Sequence, residues 1–562
     1  MPIGRDRLVH VTFTKIWETD NPPSRKWPLY TRGNVGEVFP EVVLPLTWSL
    51  LGGAAERGWR EAFVRMGLVA EGDFPPDEDM IILGVFGGYC YINASYVRIL
   101  GVRAPGGAVE NIDALFFGES DAPDYRKGPG DANLRASFRL GRTVLRLLRT
   151  KAIPELRNDQ VEVDRFVARH PGDGASDQAL FAYIDDFEPL FQHLFFRHID
   201  NTFSNALVSG ALNDLVTKTG KADLLVSVLA GIGDVESSAP AAAMWRLSRI
   251  DPDSDEYADG FDRFIAEHGT RGPNEWDLGS DPWDFNPAAA TAAIDAMRAA
   301  DDSHDPARQA VRLAAEREKA IAEIRAELNP IDRFQFDKAL AATTLYSQAR
   351  ERSKTTVIKA IHAVRRAQRT LAERAAERGG VPADGGGRMH SCVLNRDEFE
   401  QYLADPAPWA DVIAERVELH ERLSSLIPPF IIEGDVPPID EWAPRDAGGE
   451  RLSSGATLSG IAGCPGVARG RARVVLDPAD PAGLGPGDVL VAPITDPSWT
   501  PLFLAAEAVV VDVGATMSHA VIVSRELGIP CVVSAVGATT SIPDGAEIEV
   551  DGNAGTVTVI SA

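Results

Sequence analysis

The stretch Gly514-Ala-Thr-Met-Ser-His-Ala-Val-Ile-Val-Ser-Arg-Glu-Leu-Gly-Ile-Pro530 puts one histidine, His519, at the start of a helix. Before it, Ala508-Val-Val-Val-Asp512 has the short apolar texture of a strand. After it, Ala520-Val-Ile-Val and Leu527 form an apolar helical face that Gly528 and Pro530 bring to a stop. Cys531-Val-Val-Ser534 then reads as the next strand. His519 therefore sits on a strand-to-helix turn, with Ser518 as its N-cap. The unpaired N–H groups and positive dipole end of a helix start favour a bound phosphate. An imidazole held there can carry a phosphoryl group, with the hydroxyls of Thr516 and Ser518 as support. The competing reading of a lone histidine at such a place is a cap or a surface residue.

Working outward, the last hundred residues share one texture. Short Val-rich runs alternate with Gly, Pro and Asp turns at 470–476, 488–492, 508–511, 531–533, 547–550 and 555–560. This predicts a compact α/β domain over 458–562. Upstream, residues 1–440 read as a mainly helical domain. Residues 306–328 are rich in Ala, Arg and Glu, all strong helix formers. Residues 334–378 carry apolar positions at helical spacing, long enough that an internal break is expected. Residues 178–215 form another helical stretch, with an interruption expected at Ser209-Gly210. Residues 441–457, rich in Pro, Gly, Asp and Arg, read as a linker. The expected fold class is multidomain α+β: a large, mainly α-helical domain followed by a small, swivelling α/β domain.

At 562 residues the chain exceeds what one hydrophobic core supports. Its 44% hydrophobic and 25% charged residues are ordinary for a globular protein. A net charge of 56 − 82 = −26 argues against nucleic acid or an anionic membrane as partner. Cys90, Cys392, Cys464 and Cys531 are scattered without metal spacing. With no membrane-length apolar run and no apolar signal core, the expected location is the cytoplasm.

The stretch around His519 resembles the phosphohistidine signature of the phosphoenolpyruvate-utilising enzymes, in the mobile domain that carries the phosphoryl group. One position departs: the family has a Gly-Gly pair where this chain has Gly514-Ala515. Gly460-Ile-Ala-Gly-Cys-Pro-Gly-Val-Ala-Arg-Gly-Arg-Ala-Arg-Val474 resembles the opening strands of that domain. Thr495-Asp-Pro-Ser-Trp-Thr-Pro501 resembles a segment preceding its catalytic strand. In the helical region, Tyr30-Thr-Arg-Gly-Asn-Val-Gly-Glu-Val-Phe-Pro40, Pro45-Leu-Thr-Trp48 and His268-Gly-Thr-Arg-Gly-Pro-Asn-Glu-Trp-Asp277 resemble the acceptor domain of rifampicin phosphotransferases. The arrangement also resembles the split phenylphosphate synthases, whose nucleotide-binding part lies on a separate subunit.

The resemblance implies a dikinase-type phosphotransferase. The chain starts at the acceptor domain and has no Gly-rich phosphate loop. ATP and Mg²⁺ are therefore expected on an ATP-grasp partner subunit, and no metal is expected on this chain. His519 would take the phosphoryl group and pass it to a hydroxyl of a small organic acceptor: a phenol, an alcohol or an antibiotic. The alternative is a non-catalytic phosphohistidine carrier or regulatory binding protein.

Phosphoryl transfer needs cations near the travelling group. Arg350 and Lys354 are i, i+4 on one helical face and can straddle a phosphate, whereas Arg352 faces away. The bland reading of the pair is a solvated face with Glu351 as partner. His268, Arg271 and Glu275 lie on a Gly/Pro-rich turn, where they hold acceptor groups or cap neighbouring helices. Arg32 and Glu37 are further acceptor-binding candidates. Trp48, Tyr89 and Tyr91 read as core aromatics. His193 and His198, five apart, do not share a helical face and make no metal pair.

Overall fold

The computed structural model describes residues 15–75, 78–104, 109–117, 122–128, 130–233, 239–298, 305–382, 390–445, 451–478, 483–514 and 518–561. The C-terminal part is built on an eight-stranded sheet. Its order is Thr457–Ser459, Thr556–Ser561, Glu547–Asp551, Val467–Val474, Asp488–Ala492, Ala508–Val511, Cys531–Val533, Ile461–Cys464. The four strands from Val467–Val474 to Cys531–Val533 run parallel to their neighbours, and the outer pairings are antiparallel. Strands Asp488–Ala492 and Ala508–Val511 are buried along their whole length, as expected of parallel strands covered on both faces. The chain leaves both at one end of the sheet, which is where sites form in open α/β folds.

One sheet face packs with Val521, Val523 and Leu527 of the helix His519–Leu527. The same apolar cluster takes in Met244, Trp245, Trp283, Ile294 and Met297 from the helical region. The small domain is therefore seated on the helices Ala239–Ser248, Pro287–Arg298 and Pro306–Glu327 by a shared apolar interface. The other sheet face encloses its own core of Val489, Val491, Val510, Ile548 and Val550.

The helical region is organised by Pro330–Glu377, a helix of 48 residues lying along Phe187–Thr217, of 31 residues. Asn329 caps the former by accepting from the N–H groups of Ile331 and Asp332, and Pro330 occupies its first position. No break occurs within it. The reason is packing: Phe336 and Ala339 belong to one apolar cluster, Ala342 and Tyr346 to a second, and Val357 to Ala375 to the largest. At about 72 Å this helix is a tie rod through three cores. Between the second and third lies a polar window, Arg350 to Lys354, in which only Ser353 is fully enclosed.

The expected interruption at Ser209-Gly210 is not there. The chain instead breaks at Asp186, between helices Asp177–Asp185 and Phe187–Thr217. The N-terminal region also holds an antiparallel sheet that the helical reading missed, ordered Leu83–Phe86, Tyr89–Asn93, Leu29–Thr31, Ile431–Glu433. Every residue of its first three strands is buried, so no alternation marks them. Tyr89 and Tyr91 are core residues of this sheet, their hydroxyls donating to the carbonyls of Leu423 (3.0 Å) and Pro429 (2.8 Å).

Candidate active site

His519 opens its helix. Ser518 takes the extended backbone of an N-cap and accepts from Val521 N–H at 3.4 Å. Gly528, at φ 65°, closes the helix in a left-handed turn. Both imidazole nitrogens have threonine partners from the segment after strand Asp488–Ala492. Nε2 lies 3.2 Å from Thr500 Oγ1 and Nδ1 3.3 Å from Thr495 Oγ1. The ring edge meets Phe503, centroids 5.9 Å apart. Burial, then Lys354, Arg271 and Arg350 nearby, hold its pKa well below the ordinary histidine value. The ring is therefore neutral at neutral pH, as a nucleophile must be.

The helical region supplies the opposite wall. Glu37 Oε2 accepts the backbone N–H of His519 at 3.1 Å, occupying the anion position at the helix start. Burial pushes the Glu37 carboxyl up to about 7, against the opposing pull of the His519 N–H, Arg350 and Lys354. Its segment is rigidly held. Asn34 adopts φ 74°, ψ −57°, a strained conformation of the kind that collects at functional sites. A side chain at Gly33 would collide with the Phe116 carbonyl. Arg32 is buried and donates to the carbonyls of Phe39 (3.2 Å), Pro40 (3.1 Å) and Cys90 (3.4 Å), with its guanidinium over Tyr89. Its donors are directed to the protein interior, and it braces the Glu37 segment.

Arg350 and Lys354 come from the polar window of the long helix. Lys354 Nζ lies 3.2 Å from Glu275 Oε1, and Arg271 Nε donates to Glu275 Oε2 at 2.7 Å. Glu275 is almost wholly buried, so this carboxylate fixes two of the three cations around His519. Arg365 Nη2 donates to the carbonyls of Glu275 and Asp277, both at 2.8 Å. Asp277 in turn accepts from Thr47 Oγ1 at 2.7 Å. Asn274 N–H donates to Asp496 Oδ2 of the small domain at 2.9 Å, beside Thr495. Arg350 reaches Glu351 at 3.5 Å.

The structure thus brings together His519, Ser518, Glu37, Arg271, Glu275, Arg350 and Lys354. His268 is not among them: it ends the helix Asp255–His268, its ring 5.4 Å from Phe264. Thr516 lies outside the described residues. Several members of the site were not expected as such. Thr495 and Thr500 flank the imidazole, and Asp496 pins the turn that carries Arg271. His198, set aside as half of a metal pair, lies 3.2 Å from Ser353 Oγ, and burial with Arg350 and Lys354 drives its pKa down to about 3. It forms a neutral floor beneath the cations. Its partner in that discarded pair, His193, instead bonds Asp159 Oδ1 at 3.0 Å. Asp159, Glu162 and His193 approach closely enough to hold a metal, yet the other Asp159 oxygen is taken by Arg197 Nε at 3.0 Å, which makes a closed ion pair.

Parts of the sequence are similar to known protein families and proteins. Residues 484–555 match the PEP-utilising enzyme mobile domain, and residues 250–354 match the rifampicin phosphotransferase fourth domain. The matched stretch of the C-terminal unit includes His519, so this unit is similar to the PEP-utilising enzyme mobile domain. A rifampicin phosphotransferase of a Streptomyces species is 30% identical over 319 residues, 55% of this chain and 35% of that protein. The prodigiosin synthesizing transferase PigC of Serratia marcescens is 26% identical over 614 residues, 98% of this chain and 65% of that protein. An uncharacterized protein of Mycobacterium tuberculosis is 41% identical over 155 residues, 28% of this chain and 17% of that protein. In each case the chain spans less than two thirds of the relative's length.

Proposed function

We propose that this chain is the phosphohistidine and acceptor-binding component of a phosphotransferase. His519 is charged from ATP by a nucleotide-binding, ATP-grasp subunit, which also holds the Mg²⁺. AMP and phosphate are the other products, with water consumed. The small domain then moves relative to the helical region and delivers the phosphoryl group to a hydroxyl of a small organic acceptor. Tethering keeps the carrier concentrated at both stations.

The observation that carries this reading is the facing of a neutral His519, at the start of its helix, by Glu37, Arg350 and Lys354 of the other region. In the delivery step the acceptor oxygen bonds phosphorus while the P–N bond breaks and its electron pair returns to the imidazole. Arg350 and Lys354 hold the equatorial phosphoryl oxygens, where charge accumulates. Whichever ring nitrogen carries the group, the other keeps a threonine hydroxyl to orient it. Glu37 stands where the hydroxyl proton must go, with a pKa suited to accept it near neutral pH. The names of the rifampicin phosphotransferases support a hydroxyl-bearing acceptor.

The test is to recover the chain with its native partners, add ATP, and compare acid-labile phosphate between the wild type and His519→Ala. Phosphate on the wild type alone is the expected result, and the charged protein is then offered phenols, alcohols and antibiotics. Absence of phosphate despite a recovered nucleotide-binding partner would sink the reading.

A further inference from the structure

The helix Leu134–Leu147 combines a run of cations with exposed large apolar side chains. From Leu134 to Lys151 there are six cations (Arg135, Arg139, Arg142, Arg146, Arg149 and Lys151) and no Asp or Glu, in a chain with 82 acidic and 56 basic residues. Ala136, Leu140, Thr143 and Leu147 face inward, and Thr143 Oγ1 donates to the Met66 carbonyl at 2.9 Å. The outward face is not polar. Leu134 is 89% exposed, Phe138 69% and Leu145 55%. At about 100° per residue these three fall within roughly 40° of one another around the axis. They form one apolar ridge, and the arginines lie along its flank. Arg142, Arg146 and Arg149 line a single shallow hollow with Leu145 and Thr150. Among the described residues, no carboxylate is within ion-pair distance of Arg135, Arg142 or Arg149.

We propose that this helix docks the protein, reversibly, on an anionic lipid surface. A convex apolar ridge beside unpaired arginines is the pattern of a helix lying in the headgroup plane, with side chains dipping inward and guanidinium groups on phosphates. Two copies of this chain pairing symmetrically through the ridge would bring cation against cation, which disfavours a homodimer here. The overall acidity does not oppose the docking decisively. Exposed charges more than about 10 Å apart are screened at 0.1 M salt, so the bilayer senses the helix and its immediate surroundings.

The full chain is mixed with sedimentable vesicles of phosphatidylglycerol and phosphatidylcholine, and with vesicles of phosphatidylcholine alone. The wild type is expected to sediment with the anionic vesicles only, and to be released as salt is raised. The double variant Phe138→Ser, Leu145→Ser and the triple variant Arg142→Gln, Arg146→Gln, Arg149→Gln should each weaken binding by about tenfold or more. All five positions are exposed or flank the ridge, so thermal unfolding should be unchanged. Equal sedimentation with both vesicle types overturns the proposal, as does binding that neither variant weakens. Failure to bind any vesicle overturns it too, including the case where the same variants abolish capture of an acidic protein.

Discussion

The two halves of the candidate site are built in opposite ways. The carrier half is local: Thr495, Asp496, Thr500, Ser518 and His519 come from the ends of neighbouring parallel strands within 25 residues. The receiving half is assembled from Glu37, His198, Arg271, Glu275, Arg350 and Lys354, which span more than 300 residues. If the small domain moves as proposed, it needs its reactive group complete in itself. A cleft that must recognise an acceptor can draw on every element that lines it. The carrier's own charge environment is accordingly sparse, and the three cations around His519 belong to the other half.

The largest expected effect tests the carrier alone. His519→Ala should abolish acid-labile phosphate and all transfer, while circular dichroism stays that of the wild type. Phosphate persisting on the variant would mean that the carrier lies elsewhere. The next tests the division of labour. Arg350→Ala and Lys354→Ala should each slow delivery by about a hundred- to a thousandfold, the scale of losing one preorganised charge donor. In the proposed function charging takes place away from these cations, so charging should be unaffected. If charging falls equally, the cations serve the carrier and the contrast between the halves fails.

That asymmetry also governs what could be read from the sequence. Six of the eight strands of the small domain's sheet fall within a few residues of the Val-rich runs because each is a short run between turn residues, whereas Thr457–Ser459 begins inside the stretch read as linker. His519 and Ser518 were legible together because a helix start is a local object. Arg350 and Lys354 share a face by helical spacing alone. The contact of Glu37 with His519 was not legible, since it joins positions 482 residues apart. Nor was the partnership of Thr495 and Thr500 with the imidazole, which depends on where a loop closes. The missed sheet shows the same limit: Leu29–Thr31 pairs with Ile431–Glu433 across 400 residues, and uniformly buried strands show no alternation. His268 and Arg271 look alike in sequence, three apart on one Gly-rich stretch. Only the turn between them sends one to the site and the other against Phe264.

A subtler break concerns proton transfer. Glu37 is raised above its ordinary carboxyl value to about 7, so it is protonated below that pH and ionised above it. Discharge of phosphorylated protein to an acceptor should therefore rise as pH increases through about 7. Glu37→Gln should remove that limb and leave a slow, pH-insensitive discharge, lower by about a hundredfold at the plateau. Retention of the wild-type pH profile in this variant would assign the proton to another group. Charging is again the control: the glutamine still accepts the His519 N–H, so the docked pose should survive.

The smallest effect lies within the carrier. Ser518→Ala removes the acceptor of the Val521 N–H and should cost about 1 kcal/mol of stability, the usual value of an N-cap. Urea unfolding followed on the small domain would read it. Delivery should change only a few-fold, because Thr495 and Thr500 still orient the ring and the helix remains anchored by Val521, Val523 and Leu527. A loss as large as that of Arg350→Ala would give the serine a chemical part. Its hydroxyl would then be holding the phosphoryl group or Glu37, to which it is also hydrogen-bonded. The carrier would in that case hold part of the transition state itself, and the cations of the helical region would no longer account for all of the delivery.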